Sequence, residues 1–155
     1  MKRDLQVAVL MGSESDRDVM ESCLQELGKL GLAAELEVHS AHRQPKVTVH
    51  YVEEALRRGA KVFIAGAGMS AALPGFIASL TTRPVIGVPV ASGLPGGIDA
   101  LCSIVQMPPG VPVAAVAVGE PGARNAAILA AEIIALTDGA VAKRLEEMRA
   151  EWHRG

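Results

Sequence analysis

The segment LQVAVLMGSESD, Leu5–Asp16, joins an apolar, partly β-branched run to a loop of glycine, serine and acidic residues. An apolar run of this length predicts a strand that is buried on both faces, as strands of parallel sheets are. From Arg17 to Leu30 the apolar residues follow helical spacing, which predicts a helix after the loop. A strand, a loop of small residues and a helix form the repeating unit of a parallel sheet.

About five such units follow one another along the chain. We predict strands near Leu5–Leu10, Ala34–Val38, Val62–Ala65, Val85–Val88 and Val113–Val118. We predict helices near Arg17–Leu30, Lys46–Arg58, Ala71–Leu80, Gly97–Ser103 and Ala123–Leu136. The sequence therefore predicts an α/β fold of three layers, a flavodoxin-like parallel sheet with helices on both faces, in a single domain covering residues 1–155.

The C-terminal segment carries a stripe of apolar residues at helical spacing: Val141, Leu145, Met148 and Trp152. This stripe predicts a helix near residues 138–154. Because the sheet is complete without it, we expect the helix to pack on the domain or on another subunit.

Composition and charge argue against several classes of partner. Half of the residues are hydrophobic, only 3% are aromatic, and the formal net charge is −2 with scattered basic residues. Few aromatic rings and no continuous basic face disfavour nucleic-acid binding, and no apolar run reaches the roughly 20 residues of a membrane span. Cys23 and Cys102 have neither disulfide-like nor metal-ligand spacing. We therefore expect a cytoplasmic protein without nucleic-acid or membrane partners.

Four loops of mostly small residues follow the first four predicted strands: MGSESD, SAHRQP, AGAGMSAALPG and PVASGLPGG. In open parallel sheets, ligands bind at this carboxyl edge. Gly12 and the helix start after it suit an anion such as phosphate, whereas Ser13, Ser15 or Asp16 could equally cap the helix.

The third loop does not fit the dinucleotide fingerprint G-x-G-x-x-G. Gly66 and Gly68 supply the first two glycines, but the third falls on Ala71, and no acidic residue lies within Phe76–Thr82. Nicotinamide binding is therefore disfavoured. The small residues would instead let a flat ring lie against the backbone.

The second loop places His42 and Arg43 directly after a predicted strand. Histidine is the side chain whose ordinary charge change lies near neutral pH, so His42 is a candidate for proton transfer, with a structural or solvated role as the alternative. We expect His39 to close the strand and His50 to lie in the next helix. His39 and His42 lack a third ligand, so we predict no metal.

Together with PVIGVPV, GGIDALCSIVQMPPGVPVA and NAAILAAEI, these loops resemble the PurE family in order and across residues 5–137. The resemblance implies a flavodoxin-like homo-octamer that acts in purine biosynthesis on carboxylated aminoimidazole ribonucleotides. Arg43 and the pair Ala67–Gly68 favour the branch of N5-carboxyaminoimidazole ribonucleotide mutases. Such an enzyme moves the carboxyl group to ring carbon 4 by decarboxylation and recarboxylation, without metal, biotin or nucleoside triphosphate.

Two alternatives remain open at this point. A second branch of the family carboxylates aminoimidazole ribonucleotide directly with carbon dioxide, and it tends to carry lysine where this chain has Arg43. A chain that kept the phosphate loops but lost the chemistry would be a non-catalytic nucleotide-binding module.

The resemblance also implies roles for individual residues. His42 is expected to transfer the proton, Ser13 and Asp16 to bind the ribose-phosphate, and Arg43 to bind the phosphate. The pocket would be lined further by Ser40, Ala67, Gly68 and Leu73. Two positions depart from the family: Ala72 stands where many relatives have histidine, and Met69 where glycine is common.

Overall fold

A computed structural model describes residues 4–154, which form one five-stranded sheet with flanking helices. The strands are β1 (Val7–Met11), β2 (Ala34–Val38), β3 (Val62–Gly68), β4 (Val85–Val90) and β5 (Ala114–Ala115). The helices are α1 (Arg17–Lys29), α2 (Pro45–Arg57), α3 (Leu73–Ala78), α4 (Ile98–Val105), α5 (Glu120–Ala135) and α6 (Gly139–Glu151). All strand pairs are parallel, in the order β2-β1-β3-β4-β5. The predicted flavodoxin-like fold is confirmed.

Strand β1 is buried along its whole length and supplies both hydrophobic layers. Val7, Val9 and Met11 belong to the apolar cluster shared with α1, α5 and α6. Ala8 and Leu10 belong to the cluster shared with α2, α3 and α4. This alternation follows from the two-residue period of a strand, and it explains why the whole run is apolar.

Strand β5 is much shorter than the predicted Val113–Val118. Beyond it, the N–H groups of Val116 and Gly119 donate to the carbonyls of Gly87 and Pro89 in β4. The N–H and C=O of one strand residue point to the same side, so Pro89 lacks its N–H on the side that faces β5. The ladder cannot continue in register, and the prediction was wrong at this edge.

Two helices begin at residues other than those predicted because proline sets the first turn. Helix α5 begins at Glu120, before the predicted Ala123, with Pro121 in its first turn. Helix α3 begins at Leu73, with Pro74 next in sequence, and is shorter than the predicted Ala71–Leu80. Proline is tolerated at these positions because the first N–H groups of a helix have no partner within it.

Most residues of the apolar stripe of helix α6 pack against the rest of the same chain. Val141 and Leu145 are buried in the cluster with α1 and α5, and Met148 packs against it, whereas Trp152 is 66% exposed. Arg144 Nη1 also donates to the Leu30 carbonyl at the end of α1, at 3.2 Å. A cation at a helix C-terminus opposes the negative end of the helix dipole, so Arg144 ties α6 to α1.

Among residues 4–154, no helix combines the length and the apolar character that crossing a bilayer requires.

Candidate active site

The sheet order opens a crevice at the carboxyl edge. The chain leaves β1 toward β2 on one side and later places β3 on the other side of β1, so the loops that follow these strands diverge. A cleft of about 490 Å³ lies between them. Its walls come from the loops after β1, β2, β3 and β4, which are the four loops selected from the sequence.

All eight residues predicted for the site line this cleft: Ser13, Asp16, Ser40, His42, Arg43, Ala67, Gly68 and Leu73. The cleft is completed by residues that the sequence reasoning did not choose for the site: Gly12, Ser15, Ala41, Met69, Ser70, Ala71, Ala72 and Ser92. The structure therefore brings the predicted residues together, while their chemical roles stay predictions.

The loop after β1 is held by backbone bonds and by a serine cap. Gly12 N–H donates to the Gly66 carbonyl at 3.0 Å, which extends the β1–β3 pairing into the loop. Ser13 is extended, and its Oγ accepts from Ser15 N–H at 3.3 Å and from Ser15 Oγ–H at 3.0 Å. Ser13 thus caps the short 3-10 turn Glu14–Asp16 and lines the cleft at the same time.

Asp16 is only 3% exposed, although it lies at the start of α1 and lines the cleft. Its side chain does not cap α1, so the capping alternative does not hold for this residue. Burial raises the pKa of the Asp16 carboxyl, and a hydrogen bond with the Ser13 backbone partly offsets this rise. When ionised, this carboxylate only accepts hydrogen bonds, which suits the hydroxyl groups of a ligand.

The loop after β2 presents a cation and an imidazole to the cleft. Ser40 Oγ accepts from Arg43 N–H at 3.2 Å, and the Ser40 carbonyl accepts from Gln44 N–H at 2.9 Å. This turn leaves His42 and Arg43 exposed before α2 begins at Pro45. Within residues 4–154, neither side chain forms a hydrogen bond or an ion pair. Both are available to a ligand.

His39 lies beneath the loop after β2 and outside the cleft. Its backbone N–H donates to the Met11 carbonyl at 2.9 Å. Its imidazole ring packs on Tyr51, with 4.6 Å between the ring centroids. Tyr51 in turn donates to Glu35, which also pairs with Arg58. Burial lowers the pKa of His39. His39 directly follows β2, which agrees with the prediction that it closes the strand.

The loop after β3 forms a wall of small groups. A Cβ on Gly68 would overlap Ser92 Oγ, so only glycine lets these two segments approach so closely. Ala72 also lines the cleft and contributes only a methyl group to it. Ser92 itself follows β4 in the fourth selected loop, but no local pattern distinguished it from its neighbours.

Residues 4–154 contain no group of three or more His, Cys, Asp or Glu side chains arranged to hold a metal ion. Cys23 is buried and Cys102 is exposed, and both are free. Burial raises the pKa of the Cys23 thiol to about 12, so this thiol is not a nucleophile at neutral pH.

A five-stranded parallel sheet with this crevice, a buried carboxylate and a free arginine defines a flavodoxin-like α/β protein with a cleft suited to a small anionic ligand. The family model of AIR carboxylase matches residues 6–154, and the chain belongs to the AIR carboxylase family. The resemblance to PurE drawn from the motifs is confirmed.

Curated relatives and a solved structure agree with this assignment. A protein of Haemophilus influenzae named N5-carboxyaminoimidazole ribonucleotide mutase is 48% identical over 96% of this chain and 91% of its own length. A protein of the same name from Bacillus subtilis is 50% identical over 92% of this chain and 88% of its own length. The crystal structure of Treponema denticola PurE is 30% identical, with a TM-score of 0.84 over 96% of this chain and 92% of that one.

Substitution of Met69 tests how much its backbone strain lowers the stability of the protein. It has a left-handed φ of 55° and is 60% exposed, so glycine would relieve strain and lose little packing. Relief of about 1–2 kcal/mol exceeds the roughly 0.4–1 kcal/mol that glycine costs through the unfolded chain. We expect Met69→Gly to raise the free energy of unfolding by up to about 1 kcal/mol in urea titrations. Met69→Ala keeps the strain, so a gain of equal size in that control would contradict this account.

Asp16 should make stability depend on pH in a defined direction. Its pKa is raised in the folded state, so its contribution to stability is present below the ordinary carboxyl pKa and is lost as pH rises through the folded value. Asp16→Asn cannot ionise. Between about pH 3 and about pH 7, we expect the free energy of unfolding of this variant to increase relative to that of the wild type. A difference that is constant with pH in urea titrations would refute the assigned shift.

Proposed function

We propose that the protein is an N5-carboxyaminoimidazole ribonucleotide mutase. It converts N5-carboxyaminoimidazole ribonucleotide to 4-carboxyaminoimidazole ribonucleotide in de novo purine (IMP) biosynthesis. The observation that carries the proposal is the name shared by curated relatives that are nearly half identical over most of both chains. The cleft supports it, because the residues implied by the PurE resemblance all line that one crevice.

The phosphate of the substrate binds to Arg43 and to the start of α1. The Arg43 guanidinium is exposed and unpaired within the described chain, and its planar fork suits two hydrogen bonds to phosphate oxygens. The N-terminus of α1 adds partial positive charge on the other side of the crevice. Ser13, which lines the cleft just before the start of α1, contributes its hydroxyl.

The ribose binds to Asp16, whose carboxylate is already buried in the free protein. Burial without a full set of partners disfavours the charged form, as the raised pKa indicates. Hydroxyl groups of a ribose would donate hydrogen bonds to this carboxylate and compensate for the lost water. The buried Asp16 carboxylate therefore lowers the stability of the free protein and favours binding of a ligand that donates hydrogen bonds to it.

The reaction moves one carboxyl group and one proton. The carbamate C–N bond breaks, carbon dioxide leaves, and the exocyclic nitrogen gains a proton. Ring carbon 4 then forms a bond to the carbon of carbon dioxide and loses its own proton to restore the aromatic ring. His42 carries the proton between these two positions, because it is the imidazole that faces the cleft.

The wall of small residues after β3 acts after carbon dioxide has been released and before ring carbon 4 attacks it. Released carbon dioxide must stay beside the ring and away from bulk water until carbon 4 attacks it. Ala67 and Gly68 line the cleft with little side-chain bulk, so the flat ring can lie close to the backbone of β3. No step of this scheme requires a metal ion, biotin or a nucleoside triphosphate.

We also propose that the protein is a cytoplasmic homo-octamer, as the PurE resemblance implies. Large apolar side chains remain exposed on the single chain, among them Val47, Val105, Leu136 and Trp152. Surfaces of this kind are commonly covered by other subunits. Light scattering of the purified protein would measure the assembly directly.

Product formation from two alternative substrates tests the activity. Rapid conversion of the N5-carboxylated nucleotide in bicarbonate-depleted buffer is the expected result, and it would also show that Ala72 is tolerated. Conversion only of aminoimidazole ribonucleotide, scaling with dissolved carbon dioxide, would identify a direct carboxylase. Inactivity toward both substrates, with ligand binding retained, would identify a non-catalytic binding module.

His42 should control turnover and not binding. We expect His42→Asn to lower kcat by roughly 10²- to 10⁴-fold, the usual contribution of a positioned acid or base, with little change in the dissociation constant of the nucleotide. His50→Asn is the matched control, because His50 is exposed on α2 and does not line the cleft. Equal losses in both variants would rule out proton transfer by His42.

Arg43 should recognise the phosphate. We expect Arg43→Ala to weaken binding of the nucleotide roughly 10- to 100-fold in calorimetric titrations, as the loss of charged hydrogen bonds implies. Binding of the corresponding nucleoside, which lacks the phosphate, should change little. Arg57→Ala removes another exposed arginine, from the last turn of α2, and serves as control. A similar loss for nucleoside and nucleotide would contradict a phosphate contact.

A further inference from the structure

The loop between β4 and α4 reaches the cleft with little backbone support. Residues 91–96 are all exposed, and Gly96 and Gly97 both have left-handed φ values, 72° and 71°. The loop's own backbone bonds are short-range: Ser92 N–H donates to the Val90 carbonyl, and Gly97 N–H donates to the Leu94 carbonyl. Such a loop needs a further contact to hold one conformation.

Asp99, in the first turn of α4, supplies that contact. Its Oδ2 accepts from Leu94 N–H at 3.0 Å. The same oxygen lies so close to Gly93 that a Cβ on that glycine would collide with it. The carboxylate of Asp99 therefore holds the backbone of Leu94 by a hydrogen bond and lies against Gly93, and it is outside the set of residues that line the cleft.

Ser92 directly precedes Gly93 and Leu94 and lines the cleft. Its Oγ occupies the space beside Gly68 that a side chain would otherwise fill, and Ser92 lines the cleft with Gly68 and Met69. The hydroxyl is thus held between the end of β3 on one side and the segment anchored by Asp99 on the other.

The strand order indicates which part of the ligand Ser92 meets. Arg43 follows β2, Asp16 follows β1, and Ser92 follows β4 at the far side of the crevice. β2 and β4 lie three strand spacings apart, about 14 Å. If the phosphate binds at Arg43 and the ribose at Asp16, the carboxylated imidazole reaches toward β4.

We propose that Ser92 donates a hydrogen bond to the carboxylate on the imidazole, and that Asp99 is the positioning residue that holds the Ser92 hydroxyl in place. This inference rests on the proposed function, since it takes its ligand from there. A serine hydroxyl provides the donor that a carboxylate requires, and such charge-assisted bonds are the stronger ones.

A double-mutant cycle of Ser92→Ala and Asp99→Ala tests the inference through kcat and KM for the N5-carboxylated nucleotide. We expect Ser92→Ala to lower kcat/KM roughly 10- to 100-fold. Asp99→Ala alone should cause a loss of similar order, and it should add less than about threefold once Ser92 is alanine, because it acts through that hydroxyl. Asp99→Asn keeps an oxygen acceptor for Leu94 N–H and should restore kcat/KM to within about threefold of the wild type.

Two further measurements separate positioning from a general loss of structure. Asp138→Ala is the matched control, because Asp138 also accepts backbone N–H groups at a helix start, but in α6. It should leave kcat/KM unchanged. Hydrogen exchange of the Leu94 amide should accelerate in Asp99→Ala and not in Ser92→Ala. If Asp99→Ala does not fold, Gly93→Ala replaces it, since a methyl group on this exposed residue displaces the same carboxylate.

The outcomes distinguish this inference from the proposed function. A wild-type protein that does not convert the nucleotide overturns the function and the inference together. An active wild type in which the Ser92 and Asp99 effects multiply, or in which Asp138→Ala is equally impaired, overturns the inference alone. Full activity of Ser92→Ala would also overturn it.

Discussion

The burial of β1 on both faces is the constraint on which the site depends. Because β1 is buried along its length and paired on both edges, its carboxyl end is the only part of it that can reach a ligand. The chain continues from β1 to β2 on one side of it and later adds β3 on the other side, and the crevice opens between the loops that follow these strands. The bond from Gly12 N–H to the Gly66 carbonyl carries the pairing one residue past the strand. That bond fixes where the loop with Ser13 and Asp16 begins.

The cleft divides its polar groups into fixed and free ones. Asp16 is buried before any ligand arrives, whereas His42 and Arg43 stand exposed on a turn and have no partners within residues 4–154. A buried acceptor is costly but needs no rearrangement on binding, so it can define the position of a ligand. An exposed guanidinium or imidazole keeps its hydration and does not destabilise the free protein, and its side chain can move to contact a phosphate or a reacting carbon.

The sequence predicted the order of elements and the site loops, because apolar periodicity and glycine-rich loops are local signals. It could not predict that the side of Pro89 on which an N–H is missing faces β5, since this depends on the register between two strands. The left-handed backbone of Met69 has no local signal in the sequence, because residues other than glycine rarely adopt it. The contact between Asp99 and Leu94 joins a loop to the helix behind it, and no spacing rule marks Asp99 as different from any helix-start acid.

Trp152 gives the chain an unusual optical property. It is the single tryptophan of the sequence, and it lies on the surface at the end of α6, away from the core clusters. Its fluorescence in the isolated chain is therefore that of a largely hydrated indole, and loss of the core would alter the emission only slightly. A shift of the emission to shorter wavelength would instead report that another surface has covered the end of α6. The emission wavelength of Trp152 thus reports subunit association and responds little to folding of the chain.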